Sequence, residues 1–307
     1  MSEEMIRARK PQMGRYRIPL YIQTEAGEYI LYKPEGMLLQ DMRVKSGKVP
    51  AQLFLRAKDK LLGIRELQKS FNQDLQEHIK SKDTTKIKEV LVSMVEETLR
   101  EPRSGSLEGV VETVDLLASE YASEPGVLNA LVNVYQKDYT TALHSVNVMA
   151  LTLAFCLHNK YSLENSKAIG LAGLLHDVGK TQIDPEIITA SRKLTDEEFT
   201  EMKKHPAIGY QILKGCDFEQ TAVFDGAREH HEKLDGGGYP RGITNVSLAG
   251  QIVGIVDCYE AITNDDRPYR SAMDPLKALG IIKSEVEAGK LNKALFERFA
   301  RSLVQKN

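Results

Sequence analysis

Cysteine is scarce in this chain of 307 residues: only Cys156, Cys216 and Cys258 occur, scattered and without a CxxC pair. An odd, dispersed set excludes a disulfide framework and reads as reduced thiols in a cytoplasmic protein. Long apolar runs are missing as well. The greasiest, Val148 to Leu157, is about half the roughly twenty residues that span a bilayer. No signal-peptide pattern opens the chain, which begins MSEEMIRARKPQ and is polar throughout. Nor is one charge in surplus: 41 Lys and Arg stand against 43 Asp and Glu, a net charge of -2. Neither DNA nor an anionic membrane is therefore an expected partner, and any phosphate-binding surface must be a local patch. Internal repeats and low-complexity segments are also lacking. What remains is an ordinary folded composition, 42% apolar and 27% charged, long enough for one large core or two unequal domains.

The hydrophobic period changes once along the chain. From Arg15 to about Arg56 it is short and alternating: Ile18, Leu20 and Ile22 share one face. TEAGE (Thr24 to Glu28) reads as a turn, Tyr29 to Tyr32 as a second strand, and Ala51 to Leu55 as another after the turn VKSGKVP. Lys58 to Lys80 and Thr84 to Arg100 then carry helical spacing with many charges. EPRSGS (Glu101 to Ser106) is a linker, and everything beyond reads as helix after helix. TDEE (Thr195 to Glu198) fits a capping box, and His205-Pro206 fits a helix start. The expected fold class is α+β by domain. Residues 1–57 form a small β-rich domain, 58–106 a helical connector and linker, and 107–307 an all-α domain.

Five of the seven histidines stand in informative company; His78 and His158 do not. His144 shares a helix face with Val148 and Leu151, so its imidazole points where a core should be. His176-Asp177 ends the apolar helix IGLAGLLHDVGK, with Gly179 as its stop signal and Lys180 within reach of the same cavity. His205 opens a helix, and His230-His231 close the next one. Asp257 lies within the almost wholly apolar QIVGIVDCYEAIT, where a lone carboxylate is costly unless paired or bound to metal. Imidazoles and carboxylates spread over separate helices of one bundle are the makings of a multi-metal site. Nitrogen and oxygen donors without thiolate suit iron, manganese or zinc. A carboxylate bridging two ions about 3.5–4 Å apart creates a metal-bound hydroxide, the nucleophile for in-line attack on a phosphodiester.

Taken in order, these residues resemble the HD-GYP family of bacterial phosphodiesterases that hydrolyse cyclic di-GMP. The likeness covers about Leu131 to Met273. It is carried by HSVNV, HDVGK, HPAIGYQIL, HHEKLDGGGYP, the aspartate of IVDCYEAIT, and RPYR (Arg267 to Arg270). The resemblance implies an HD-type helical bundle with a di-iron or related site. In it His144, His176, Asp177 and Asp257 hold one metal, and Asp177 bridges to a second held by His205, His230 and His231. It implies that Lys180, Arg267 and Arg270 grip the phosphates and that the loop of Gly236, Gly237, Gly238 and Tyr239 lies along the substrate. Asp177 and Lys180 are thereby the expected catalytic residues. Cyclic di-GMP is the implied ligand, with diguanylate cyclase (GGDEF) domains or other signalling proteins as partners. The N-terminal strands also resemble the small β domain that often precedes such modules.

The chain departs from the family pattern in three places. Some members carry a glutamate one helical turn before the first histidine that recruits a third metal; here that position is Thr140. Asp138, six residues before His144 and about 240° round a helix, cannot substitute, so two metals are expected. The family aspartate before the Ala of the last motif is Glu260, and one residue more than usual stands within Asn264-Asp265-Asp266 before Arg267. The leading expectation is hydrolysis of cyclic di-GMP to pGpG and on to GMP. A catalytically slow receptor for the same nucleotide, and an HD hydrolase of another one such as cyclic GMP–AMP, remain alternatives.

Overall fold

The computed structural model describes residues 4–8, 14–39, 50–100, 102, 107, 109–134, 140–264 and 273–304. Four short antiparallel strands open the chain: β1 (Met5–Arg7), β2 (Leu20–Gln23), β3 (Tyr29–Lys33) and β4 (Phe54–Arg56), in sheet order β1-β4-β2-β3. β2 and β3 make the expected hairpin, running from Leu20 opposite Lys33 to Gln23 opposite Tyr29. Its turn is closed by Thr24, whose hydroxyl accepts from the Glu28 amide at 3.1 Å. Ile18, Leu20, Leu53 and Leu55 are buried beneath the sheet, as their alternation requires. The strand expected over Ala51–Leu55 forms only over Phe54–Arg56. β1 arises in the stretch that reads as polar, because its partner is main chain: Ile6 pairs opposite Leu55 of β4.

After a 3₁₀ turn at Ala57–Asp59 come α1 (Lys60–Lys80) and α2 (Thr84–Leu99), close to their expected bounds. Ile64, Leu67, Phe71, Leu75 and Ile79 recur at helical spacing and are the buried stripe of α1. The remaining helices are α3 (Gly109–Glu120), α4 (Gly126–Val132), α5 (Thr141–His158), α6 (Leu163–Leu175), α7 (Pro185–Ile188) and α8 (Asp196–Met202). They are followed by α9 (His205–Lys214), α10 (Thr221–Glu229), α11 (Leu248–Thr263), α12 (Pro275–Glu287) and α13 (Lys293–Val304). The Thr195–Glu198 capping box is complete at the start of α8. Of the linker Glu101–Ser106, only Pro102 is among the described residues.

α5 organises the bundle. One of its faces, with Val146, Met149, Ala150 and Leu153, joins a core that runs from the sheet through α1, α2 and α3 to α6 and α10. Its other face, with Val148, Leu151 and Phe155, joins a second core made with α11, α12 and α13. Among the described residues it is the one helix long and apolar enough to cross a membrane, and 83% of that window is buried inside the protein. The helix begins at Thr141, and Thr140 is its N-cap, with a hydroxyl that accepts from the Leu143 amide at 3.1 Å. Asp138 therefore cannot be placed by counting helical turns, and it lies outside the described residues. The reading of Gly179 as a helix stop is also corrected. α6 already ends at Leu175, and Gly179 sits within a 3₁₀ turn, Val178–Gln182.

α2 contributes one buried cation to the bundle. Lys88 is 2% exposed, and its ammonium donates to the carbonyls of Val132 (3.0 Å), the last residue of α4, and Val134 (2.7 Å) just after it. Burial pushes its pKa down from 10.5 to about 8, against the pull of Glu260. Between those values the unfolded chain binds more protons than the folded one, so this lysine makes stability rise with pH there. Urea unfolding at about pH 7 and about pH 9.5 is expected to show the wild type gaining about 2 kcal/mol relative to Lys88→Met over that interval. A gap that stays constant would refute the depressed ammonium.

Candidate metal centre

Five helices deliver their ends, or one inward position, to a single point between the two cores. His144 stands in the first turn of α5, His176 is the C-cap of α6, and Asp177 follows it. His205 is the first residue of α9, His230 is the C-cap of α10 with His231 next, and Asp257 lies on α11. Two crossings without a side chain make this possible. A Cβ on Gly179 would lie 1.9 Å from the His205 carbonyl oxygen, so only glycine lets the 3₁₀ turn pass against α9. A Cβ on Gly254 would lie 2.5 Å from the His230 carbonyl, so α11 touches the end of α10 one turn before Asp257.

The seven expected ligands are brought together in two groups that share Asp177. On one side, Asp177 Oδ2 lies 3.5 Å from His144 Nε2 and 3.4 Å from His176 Nε2. Asp257 Oδ1 is 3.0 Å from the first of these nitrogens and 3.7 Å from the second. On the other side, Asp177 Oδ1 lies 3.2 Å from His205 Nε2 and 3.8 Å from His230 Nε2. His231 completes that second group. Its ring stacks on Tyr239, with centroids 4.6 Å apart and planes at 29°.

Outer partners fix the way the imidazoles point. His176 Nδ1 donates to the Gly173 carbonyl (2.7 Å), His205 Nδ1 to Met202 (2.7 Å) and His230 Nδ1 to Gly226 (2.9 Å). A carbonyl can only accept, so each Nδ1 carries the hydrogen and each Nε2 is turned toward the centre. His144 differs, since its Nδ1 meets the carboxylate of Glu260 at 2.5 Å.

The charges sort by side. Burial alone would raise both carboxyls. For Asp177 the Lys180 ammonium and His176 outweigh it, and for Asp257 the hydrogen bonds from His144 and His176 do. Both are held well below the usual carboxylate range. Burial would likewise discharge His176, but Asp177 and Asp257 push it up to about 10. Imidazole protons thus balance the carboxylates on this side, and a divalent cation would displace them. On the other side burial keeps His231 neutral, at about 3, and holds His230 well below its ordinary value.

The donor set fits a metal on each side. Asp177 Oδ1 is buried and accepts no hydrogen bond from any described residue. It faces Nε2 of His205 and of His230, themselves 3.2 Å apart, although the Nδ1 hydrogens of both rings are spent elsewhere. Lone pairs converging in a dry site repel unless a cation lies among them.

The remaining expected residues divide. Lys180 pairs with Asp177 Oδ2 at the edge of the centre, its side chain partly exposed. Arg267 and Arg270 lie outside the described residues. In the loop Gly236 to Tyr239, Gly236 has φ +80, and a Cβ on Gly238 would overlap the Glu232 Cα at 2.5 Å. These glycines answer to the loop's own folding. Buried Glu232 accepts from the Arg241 and Ile243 amides (2.8 and 3.1 Å), and Glu229 accepts from the Ser247 amide (2.7 Å) and pairs with Arg241. Sequence reasoning missed Glu260 as a part of the site. It noted this residue only as a departure, although its place one turn after Asp257 on α11 was the available signal.

The HD domain family model matches residues 118–295. A cyclic di-GMP phosphodiesterase of Pseudomonas aeruginosa is 35% identical over 170 residues, covering 55% of this chain and 41% of the relative. The 3'3'-cGAMP-specific phosphodiesterase 1 of Vibrio cholerae is 33% identical over 171 residues, covering 55% of this chain and 39% of the relative. The chain thus spans about two-fifths of the length of these curated relatives. Among solved structures, an HDG"Y"P protein from Bdellovibrio bacteriovorus has the same fold. Its TM-score is 0.62 at 19% identity, over 98% of this chain and 100% of that one.

Among the described residues Asp177 is the side chain that faces both groups, so its removal should cost any ion held on either side. Protein reconstituted with Mn²⁺ and freed of excess ion is expected to lose all tightly held metal on Asp177→Ala, as measured by elemental analysis. Asp257→Ala is expected to spare the ion on the His205 side. Full metal content in Asp177→Ala would refute the shared carboxylate.

Proposed function

The chain belongs to the HD domain family, in its HD-GYP branch, and from that premise we propose that it is a metal-dependent phosphodiesterase opening cyclic di-GMP to linear pGpG. The observation that supports this most is the Asp177 carboxylate, whose two oxygens each face a separate group of imidazoles. His144, His176, Asp177 and Asp257 would hold one metal, and His205, His230, His231 and Asp177 the other. Iron leads, with manganese or zinc as substitutes, since all donors are nitrogen or oxygen. Thr140 is occupied as the α5 cap, so two ions are proposed. Bound there, the pair supplies an activated water for in-line attack on phosphorus and positive charge toward the phosphoryl oxygens.

The protein's own groups do the rest. Asp177 and Asp257 stay ionised, Asp177 as the carboxylate that would serve both ions and Asp257 as the one that would serve the His144 side. Lys180 holds an ammonium at the rim, where a phosphate oxygen gaining charge can take its hydrogen bond. Burial, with Asp257 and Asp177 nearby, pushes the Tyr239 phenol up, so it remains a donor toward the substrate. Arg267 and Arg270 complete the phosphate grip in this proposal. As the P–O3′ bond breaks, the leaving oxygen takes a proton and the 5′-phosphate of pGpG remains; a second cut yields GMP. The names of the relatives support a cyclic dinucleotide in general, cyclic GMP–AMP being the second candidate.

Anaerobically iron-loaded protein should convert cyclic di-GMP to pGpG, followed by chromatography. Lys180→Ala is expected to lower kcat by about 100-fold, with metal content unchanged. Tight binding of cyclic di-GMP without turnover would instead make the chain a receptor. Faster turnover of cyclic GMP–AMP would reassign the substrate.

A further inference from the structure

Three of the histidines are anchored by main-chain carbonyls, and one by a carboxylate. That carboxylate, Glu260, is 1% exposed. Its Oε2 meets His144 Nδ1 at 2.5 Å, while its Oε1 accepts from Asn147 Nδ2 and from Asn264 Nδ2, both at 2.8 Å. The arrangement is a ladder between two helices. Asn147 follows His144 by three residues on α5, and Glu260 follows Asp257 by three on α11. α11 therefore sends one carboxylate to the front of the His144 ring, at 3.0 Å from Nε2, and a second to its back.

We propose that Glu260 is a positioning residue that fixes His144 toward its metal and makes the two metal positions unequal, the His144 side binding the more tightly. The proposal rests on the metal-pair reading above. A carboxylate behind an imidazole raises its basicity as a ligand more than a neutral carbonyl does, and it locks the ring against rotation. The charge count points the same way. The His144 side is faced by Asp177 Oδ2, Asp257 Oδ1 and two imidazoles and backed by Glu260, with the Lys180 ammonium on Asp177 Oδ2 offsetting one of these charges, whereas the other is faced by Asp177 Oδ1 and three imidazoles, so one more anion remains on the His144 side. An additional buried anion a few ångströms away favours a cation strongly where water is excluded. The length of the side chain matters as well, because an aspartate would stop about 1.5 Å short of the position that Glu260 reaches.

The test uses the full chain, stripped with a chelator and titrated with Mn²⁺ by calorimetry, with free Mn²⁺ followed by electron paramagnetic resonance. The wild type is expected to bind two ions in separate steps. Glu260→Gln should weaken the tighter step by about 10–100-fold and leave the weaker one in place. Glu260→Asp, which keeps the charge, should recover part of that loss. A far-downfield imidazole N–H signal in the wild type, assigned by its loss in His144→Ala, should move upfield in Glu260→Gln. Unchanged steps in Glu260→Gln, or two steps weakened alike with a lowered Tm, would overturn the role of Glu260 while leaving the metal pair intact. Wild-type protein that takes up no Mn²⁺ would overturn the metal centre itself, and this inference with it.

Discussion

Asp177 is a carboxylate with almost no exposed surface, ionised and flanked on both sides by imidazole nitrogens. Burying such a charge costs several kcal/mol unless opposite charge and hydrogen bonds return it. The architecture around it can be understood as the means of that return. α6 stops just before it, the following 3₁₀ turn curls Lys180 back onto it, and α9 arrives through the crossing at Gly179. α11 closes the far side where Gly254 meets the end of α10. Shift any of these crossings and the carboxylate loses a partner on one side or the other.

Rigidity and adaptability are kept apart. The nitrogen and carboxylate groups project from helices whose other faces are locked into two apolar cores, with α5 contributing to both. Of the described residues assigned to substrate, Lys180 sits in a 3₁₀ turn and Gly236 to Tyr239 in a loop. Even there the loop after α10 is held from beneath by Glu229 and Glu232, which accept main-chain amides of residues 241, 243 and 247. His231 joins the two regimes, with its ring in the second ligand group and its face against Tyr239.

Much of this was legible in the residues. The long helices announced themselves by apolar spacing, as in α1 and α2, and the β2–β3 hairpin by alternation around a Gly-containing turn. All seven converging side chains were marked by type and company: imidazole at helix ends, carboxylate within or just after an apolar helix. Three features were not legible. β1 depends on a partner strand some fifty residues away, which local polarity cannot reveal. The start of α5 depends on Thr140 spending its hydroxyl as a cap, a choice that helical counting through Asp138 could not make. Glu260 read as a substitution because its meaning lies across the bundle, on the back of His144.

The sequence by itself determined which groups could bind and roughly which segments would carry them, because donor chemistry and periodicity are local properties. Only the tertiary structure decided that Asp177 turns one oxygen to each group of imidazoles, that loop glycines serve the loop's own backbone, and that one of the five histidines is backed by a carboxylate. Those outcomes depend on distances of about one hydrogen bond between helices far apart in the chain. They are set by how closely α6, α9, α10 and α11 approach, which packing fixes and no single segment encodes.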